Sequence, residues 1–276
     1  MKITRAMELI AASRIPKAQA RVNQSKPYAQ KLVEVIRNVG SAAGGSSHML
    51  LEEREINSVG VLVVASDRGL AGAYASNIIR MAEKAVAAHD GAGRSVRIFA
   101  VGKKAQGYFA YRGHHIERSF LGVTDRPGYG DARAIANSVM DAYATGSIDA
   151  LEAYYTRYQS ALTQIPTRLP LLPVQRPEAA EGEDESRTID YEYEPSPAQI
   201  LNRLLPRYVE ASVFNMLLES SASEHSARRR AMKAATDNAD ELITELTRVA
   251  NRARQAEITT EISEIVGGAE ALSSGA

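Results

Sequence analysis

"ATDNADELITELTRVANRARQAEITTEISEIV" (Ala235–Val266) is the last part of a 60-residue run, Arg207 to Val266, that contains neither glycine nor proline. A continuous helix of that length would span about 90 Å, longer than any element a domain of this size could cover. The register Ala235, Ala239, Leu242, Leu246, Val249, Ala253, Ala256, Thr260, Ser263 steps by four and three throughout. Such a seam is a coiled-coil signature and calls for a helical partner. The apolar content of the seam fades toward its end, where chain termini ordinarily fray.

The partner suggested by position is the other end of the chain. Met1 to Val39 has no glycine, and apolar residues recur at helical spacing: Ile3, Met7, Ile10; then Ile15, Ala18, Val22; then Ala29, Leu32, Ile36, Val39. The phase slips between Ile10 and Ile15, beside Pro16, where the missing donor predicts a kink. "GSAAGGSSH" (Gly40–His48) closes the element.

Between the two helices the pattern changes. "VGVLVVA" (Val59–Ala65) is a β-branched run suited to a strand buried on both faces, and "VRIFAV" (Val96–Val101) is a second. Helical patterns follow over 73–89, 103–111 and 131–145, with further strand signals at 115–120 and 151–159. Strands alternating with helices predict a small Rossmann-like parallel sheet in an α/β head. The expected organisation is an N-terminal coiled-coil helix over 1–39 and an α/β head over 56–175. An acidic loop and foot segment over 176–195 comes next, then a long coiled-coil helix over 196–267, antiparallel to the first. "RPEAAEGEDESRTIDYEYEP" (Arg176–Pro195) carries eight acids with Arg187 the only base after Pro177, and its first part reads as a mobile loop. Ser196 and Pro197 suit the cap and first position of the last helix.

Composition sets limits on function. Thirty-three basic and thirty-three acidic residues cancel, so bulk charge favours neither nucleic acid nor membrane, although the first 37 residues hold eight Lys or Arg against Glu8 and Glu34. Absence of cysteine removes disulfides, thiolate metal sites and thiol redox switching. No apolar run reaches the length of a membrane span and no signal peptide opens the chain, so a cytoplasmic, soluble protein is expected.

Few motifs carry chemistry. "SDRGLAGAYASN" (Ser66–Asn77) follows a strand and opens a helix, where phosphates are often cradled, yet only Gly69 and Gly72 are present and no Walker lysine follows. An ordinary strand-to-helix turn is the preferred reading. His114 and His115 point to opposite faces of a strand and have no completing ligand. No nucleophile stands at recognisable spacing from a base, and the acids of Glu181–Glu185 lack EF-hand spacing. Arg228, Arg229, Arg230 and Lys233 could face nucleic acid, but no aromatic lies among them and acids follow, so a shaft surface is preferred. No catalytic, cofactor-binding or metal residue is assigned.

Six segments together point to a family. "KITRAMELIAASRI" (Lys2–Ile15), "SDRGLAGAYASN", "ALTQIPTRLPLLP" (Ala161–Pro173), "LLPRYVEA" (Leu204–Ala211), "ASEHSARRRAMKAATDNA" (Ala222–Ala239) and "RARQAEITTEISEIVGGA" (Arg252–Ala269) stand in order along nearly the whole chain. They resemble the gamma subunit of F-type ATP synthases, and "SARRRAMKAATDNA" has the flavour of bacterial, actinobacterial members. The resemblance implies a non-catalytic rotor stalk that couples a proton-driven membrane ring to ATP synthesis in a hexamer of alpha and beta subunits. The epsilon subunit and the ring of c subunits are further implied partners, at the cytoplasmic face of the plasma membrane. It implies hexamer contacts at Met7, Arg68, Arg254, Gln255, Thr259 and Glu264, with Thr259 and Glu264 on the helix opposite Met7. Tyr191, Tyr193 and Glu194 are implied to rest on the membrane ring. It also implies further helical turns ahead of Lys2. Two rival readings stay open on the residues alone: a Rossmann-like enzyme with a helical arm, and a coiled-coil adaptor for nucleic acid.

Overall fold

The computed structural model describes residues 2–42, 48–175, 194 and 196–275. The acidic segment expected as a loop, with Tyr191 and Tyr193, lies outside the described residues. Helix α1 (Lys2–Ala42) leads into strand β1 (Ser58–Val64) by way of a short 3-10 turn at Met49–Leu51. Then come α2 (Tyr74–Gly91), β2 (Ser95–Val101), α3 (Lys103–Tyr111), β3 (Ile116–Phe120), α4 (Tyr129–Ala144), β4 (Ala150–Tyr158), β5 (Gln164–Leu172) and α5 (Pro197–Ser274).

The sheet order is β3-β2-β1-β4-β5. β1 pairs in parallel with both β2 and β4, and β2 with β3, but β5 returns antiparallel along β4. The sheet is therefore mixed, not wholly parallel as expected. β5 escaped the sequence reading because Pro166 and Pro170 interrupt it; a proline lacks the ladder donor and is tolerated only where that side of the strand is unpaired, as at this edge.

Alternation along β1 divides the head into two layers. Val59, Val61, Val63 and Ala65 pack under α2 and α3 with Ile78, Ala82, Val86 and Phe109. Leu62 and Val64 face the other way, into a core shared with α4, the C-terminal part of α1 (Leu32, Ile36, Val39) and the base of α5 (Leu201, Leu205, Val209, Val213, Leu217). Shaft and head thus share one core. Pro206 lies inside α5, which is unbroken over 78 residues, and Ser196 caps it by accepting from the Gln199 N–H at 3.4 Å.

α1 and α5 run antiparallel. Val22 clusters with Leu218 and Ala222, while Thr236 donates to the Thr4 hydroxyl at 2.8 Å. The side of α1 that faces inward is Thr4, Glu8, Ala11, Ile15, Ala18, Val22, Ser25, Ala29, Leu32, Ile36 and Val39, all buried or half-buried. These positions step by four and three without a slip. The expected phase slip is corrected accordingly: Ile3 and Ile10 stand 76% and 53% exposed, and the inward stripe at this end uses Thr4, Glu8 and Ala11 instead. Hydropathy pointed to the wrong face because a small-residue seam lets the two helices approach closely while the larger side chains are left outside. The helix assignment is unbroken through Pro16 and Pro27.

Where the shaft leaves the head, α5 carries a buried polar band. Ser220, Ser221, Ser223, Glu224, His225, Ser226 and Arg228 are all under 9% exposed. Arg228 donates to Glu224 at 2.5 Å and to the Gly69 carbonyl at 3.2 Å; Ser223 donates to the Thr156 carbonyl and Ser221 to the Asp125 carbonyl, each at 3.2 Å. Arg14 of α1 reaches Asp125 at 2.5 Å, and Arg230 donates to the Ala161 carbonyl at 2.7 Å. The arginine cluster read as a solvated shaft surface is thus partly a set of ties from shaft to head. Burial holds the His225 imidazole below its ordinary pKa of 6.5; nearby Asp125 opposes this, and Arg228 and Arg14 reinforce it.

Two predictions follow from this packing. Ile15→Ala, deep in the seam, should cost about 2–5 kcal/mol in chemical denaturation. Ile10→Ala should stay within about 0.5 kcal/mol in the isolated chain; the reverse order would restore the slipped register. For His225 the folded pKa is depressed, so its contribution to stability is present above the unfolded value of 6.5 and lost as pH falls through the folded value. The melting temperature should drop between about pH 7 and pH 5.5, and His225→Gln should flatten that drop; an equally steep drop in the variant assigns it to another group.

Candidate functional site

Thr4 meets Thr236, and from there α5 continues to Ser274 with no described element beside it. Residues 240–270 are all exposed. Beyond Ala239 no described residue covers the seam, and Leu242, Leu246 and Val249 stand 54–58% exposed.

This length of α5 has a definite surface. Leu242, Leu246 and Val249 share one face, and Ile258, Ile262 and Ile265 share another. Val249 and Ile258 are nine residues apart, so at about 100° per residue the two faces are half a turn apart. Between them lie Ala250, Ala253 and Ala256, with Arg248, Arg252 and Arg254; from Gln255 onward there are four glutamates and no Lys or Arg. Thr244, Thr247, Thr259, Thr260 and Ser263 donate to the carbonyls four residues back, at 2.7–3.0 Å. Their hydroxyl protons are satisfied within the helix. The tip presents small and aliphatic groups with few outward donors beyond its arginines and Gln255. Exposed aliphatic side chains of this size each gain about 1.5–3 kcal/mol on full burial, so the tip is suited to a surrounding partner.

The expected contact residues fall into two groups. Arg254, Gln255, Thr259 and Glu264 are all exposed on the tip. Gln255 and Thr259, four apart, share a face; Arg254 stands one turn before Ile258. Met7 is half-buried, one turn from Thr4, and so lies near the level of Met232–Thr236. Thr259 is 23 residues beyond Thr236, about 35 Å along the helix. Met7 is therefore not brought beside Thr259 or Glu264, a correction that the Thr4–Thr236 register imposes.

Arg68 stands in the turn after β1, which packs on the shaft: a Cβ placed on Gly72 would lie 3.7 Å from the Ala231 methyl, and Gly69 accepts from Arg228. Asp67 organises this turn. Its carboxylate accepts from the N–H groups of Lys103, Gly122 and Thr124 and from the Thr124 hydroxyl, at 3.0–3.2 Å. Burial acts to raise its pKa, yet these bonds together hold it below the usual carboxylate range. Gly102 must lack a side chain, because its φ is 91° and a Cβ would lie 2.8 Å from the Ser66 carbonyl carbon. Sequence reading singled out Arg68 but missed Asp67, whose partners come from segments up to 57 residues away. Glu194 is exposed, and Ser196 fills the helix cap as expected.

Among the described residues no helix is long and apolar enough to cross a membrane, and no group of three or more His, Asp or Glu could hold a metal ion. Residues 1–272 match the family described as ATP synthase. The chain is 45% identical to the ATP synthase gamma chain of Leifsonia xyli, covering 99% of this chain and 93% of that one. It is 47% identical to that of a Parafrankia species over 100% and 94%, and 46% identical to that of Streptomyces coelicolor over 98% and 91%. The fold is shared with the central stalk of the Tetrahymena thermophila mitochondrial ATP synthase, at a TM-score of 0.63 and 24% identity over 85% of this chain and 99% of that chain. A chain of the Euglena gracilis mitochondrial enzyme aligns at 0.59 and 17% identity, over 98% of this chain and 96% of its own. A mixed sheet fused to an antiparallel helical shaft, with close relatives along almost its entire length, makes this chain a member of the ATP synthase gamma-chain family.

Proposed function

We propose that the chain is the central rotor stalk of a proton-translocating F-type ATP synthase, joining a ring of c subunits in the membrane to a hexamer of alpha and beta subunits. The observation that carries this reading is the division of α5: its base is built into the core of the head, while its last turns have no described neighbour. A torsion applied to the head passes into the shaft through packed side chains and the ties at Glu224, Arg228 and Arg230. A tip with short side chains and internally satisfied hydroxyls can turn inside a sleeve without a deep energy minimum at one angle.

In this reading Arg254, Gln255, Thr259 and Glu264 meet the hexamer from the tip, and Met7 and Arg68 meet it at the collar where the shaft leaves the head. Tyr191, Tyr193 and Glu194 form a foot on the ring, and the epsilon subunit is a further partner. The chain itself performs no chemistry, and it works at the cytoplasmic face of the plasma membrane without spanning it. The rival of a nucleic-acid adaptor is weakened because Arg228 and Arg230 are engaged by Glu224 and by backbone carbonyls of the head. Copurification of tagged chain with alpha and beta subunits, and rotation of the assembled sector, test the reading directly; a chain that purifies alone from its own cells overturns it.

Two substitutions probe the contacts. Arg254→Ala with Gln255→Ala removes charge-assisted hydrogen bonds worth roughly 1.5–3 kcal/mol each where desolvated. Assembly should survive while ATP turnover falls about tenfold or more; unchanged turnover and rotation would refute the assignment. Glu194→Lys should leave hydrolysis by the detached sector near normal while proton pumping by membranes drops, and pumping that keeps pace with hydrolysis removes Glu194 from the foot.

A further inference from the structure

A pocket of about 680 Å³ opens on the head at the carboxyl ends of β1 and β2, between the starts of α2 and α3. Arg68, Arg80, Lys103 and Lys104 line it. Among the described residues none of these four cations is in an ion pair, although the chain as a whole has zero formal charge. Glu83 is the one carboxylate in the lining, and it is already held by the Tyr108 hydroxyl and by Arg112 at 2.9 Å. The neighbouring Asp67 carboxylate is engaged by backbone N–H groups. The positive charge of the pocket is thus not neutralised from within.

Two further features suit a ligand. Leu70, at the rim, holds a φ of 62°, a strained conformation for a residue with a Cβ. Gly107 lies in the middle of α3, where glycine costs about 1 kcal/mol relative to alanine. A Cβ there would meet nothing within 4 Å, so glycine leaves the cavity open instead of relieving a clash. The floor of Ala71, Ala75 and Ile79 is apolar. The volume falls in the range of small-molecule sites and far exceeds a single inorganic anion. The first N–H groups of α3 are taken by Asp67 and the Ser66 carbonyl, so the side-chain cations, not the helix terminus, would hold the charge.

We infer that this pocket binds a phosphorylated small molecule of nucleotide size, its phosphates among Arg80, Lys103 and Lys104, and its uncharged part on the Ala75–Ile79 floor. The site requires no turnover and stands whether or not the chain acts as a rotor. Arg68, at the mouth, is left unaltered in the test because the rotor reading assigns it to the hexamer.

Titration calorimetry on the full chain with ADP, pyrophosphate and adenosine separates the contributions. ADP should bind with a Kd on the order of 100 µM, pyrophosphate more weakly, and adenosine without measurable heat. Lys103→Gln with Lys104→Gln should raise the ADP Kd at least about tenfold, the loss of roughly 1.4 kcal/mol. Gly107→Leu should block the pocket while leaving the circular dichroism melt unchanged or raised, since leucine favours the helix. Absence of ADP binding at about 5 mM, well above the expected Kd, overturns the inference. So does binding that neither variant weakens, or equal binding of a glutamate-rich peptide with the same dependence, which would make the patch a protein-facing surface.

Discussion

Everything in this molecule depends on the close antiparallel contact between α1 and α5. Its inward face on α1 intersperses small residues (Thr4, Ala11, Ala18, Ser25, Ala29) with Glu8 and the larger Ile15, Val22, Leu32, Ile36 and Val39. Small residues let the helices approach, and the larger ones provide burial. The contact is continuous with the core under the sheet, because Leu32, Ile36 and Val39 pack with Leu62, Val64, Leu205 and Val209. One cooperative body therefore includes the shaft base and the head, so an angular displacement of one displaces the other.

Apolar burial alone would not fix the azimuth of the shaft on the head. The polar band on α5 supplies that definition. Glu224 and Arg228 are both nearly inaccessible, and removing one partner of such a buried pair costs about 3–5 kcal/mol because the other is left uncompensated. Replacing the pair by apolar groups could match its stability, but it would lose the directional bond from Arg228 to Gly69. Burial pushes the Glu224 carboxyl up while Arg228 pulls it down, with burial prevailing. Ser221, Ser223 and Arg230 add bonds to three separate segments of the head. Direction, not strength, is what such ties contribute.

Beyond the collar the design inverts. A helix in a folded protein draws most of its stability from packing one face, yet α5 continues past Thr236 with no such face covered by the described residues. Its apolar stripe changes sides between Val249 and Ile258, and its hydroxyls are bonded to their own helix. A single flat partner could not cover both stripes. An encircling one could, and short side chains between the stripes would keep its grip weak at any one angle.

The sequence by itself determined the elements. Glycine- and proline-free runs with four-three spacing dictated two long helices, and β-branched runs between turns dictated a mostly parallel sheet, because both periodicities are local properties of the chain. Terminal motifs were long enough to point to the family and to the tip residues. Tertiary structure alone decided the rest. It chose Thr4, Glu8 and Ala11 over Ile3 and Ile10 as the inward stripe, since small residues that permit close approach carry little hydropathy signal. It placed β5 antiparallel at an edge that tolerates Pro166 and Pro170. It separated Met7 from Thr259 by fixing Thr4 against Thr236. It also gathered Arg80, Lys103 and Lys104 around the turn after β1. Spacing along a chain specifies which residues share a face of one element, whereas which faces meet is set by packing between elements distant in sequence.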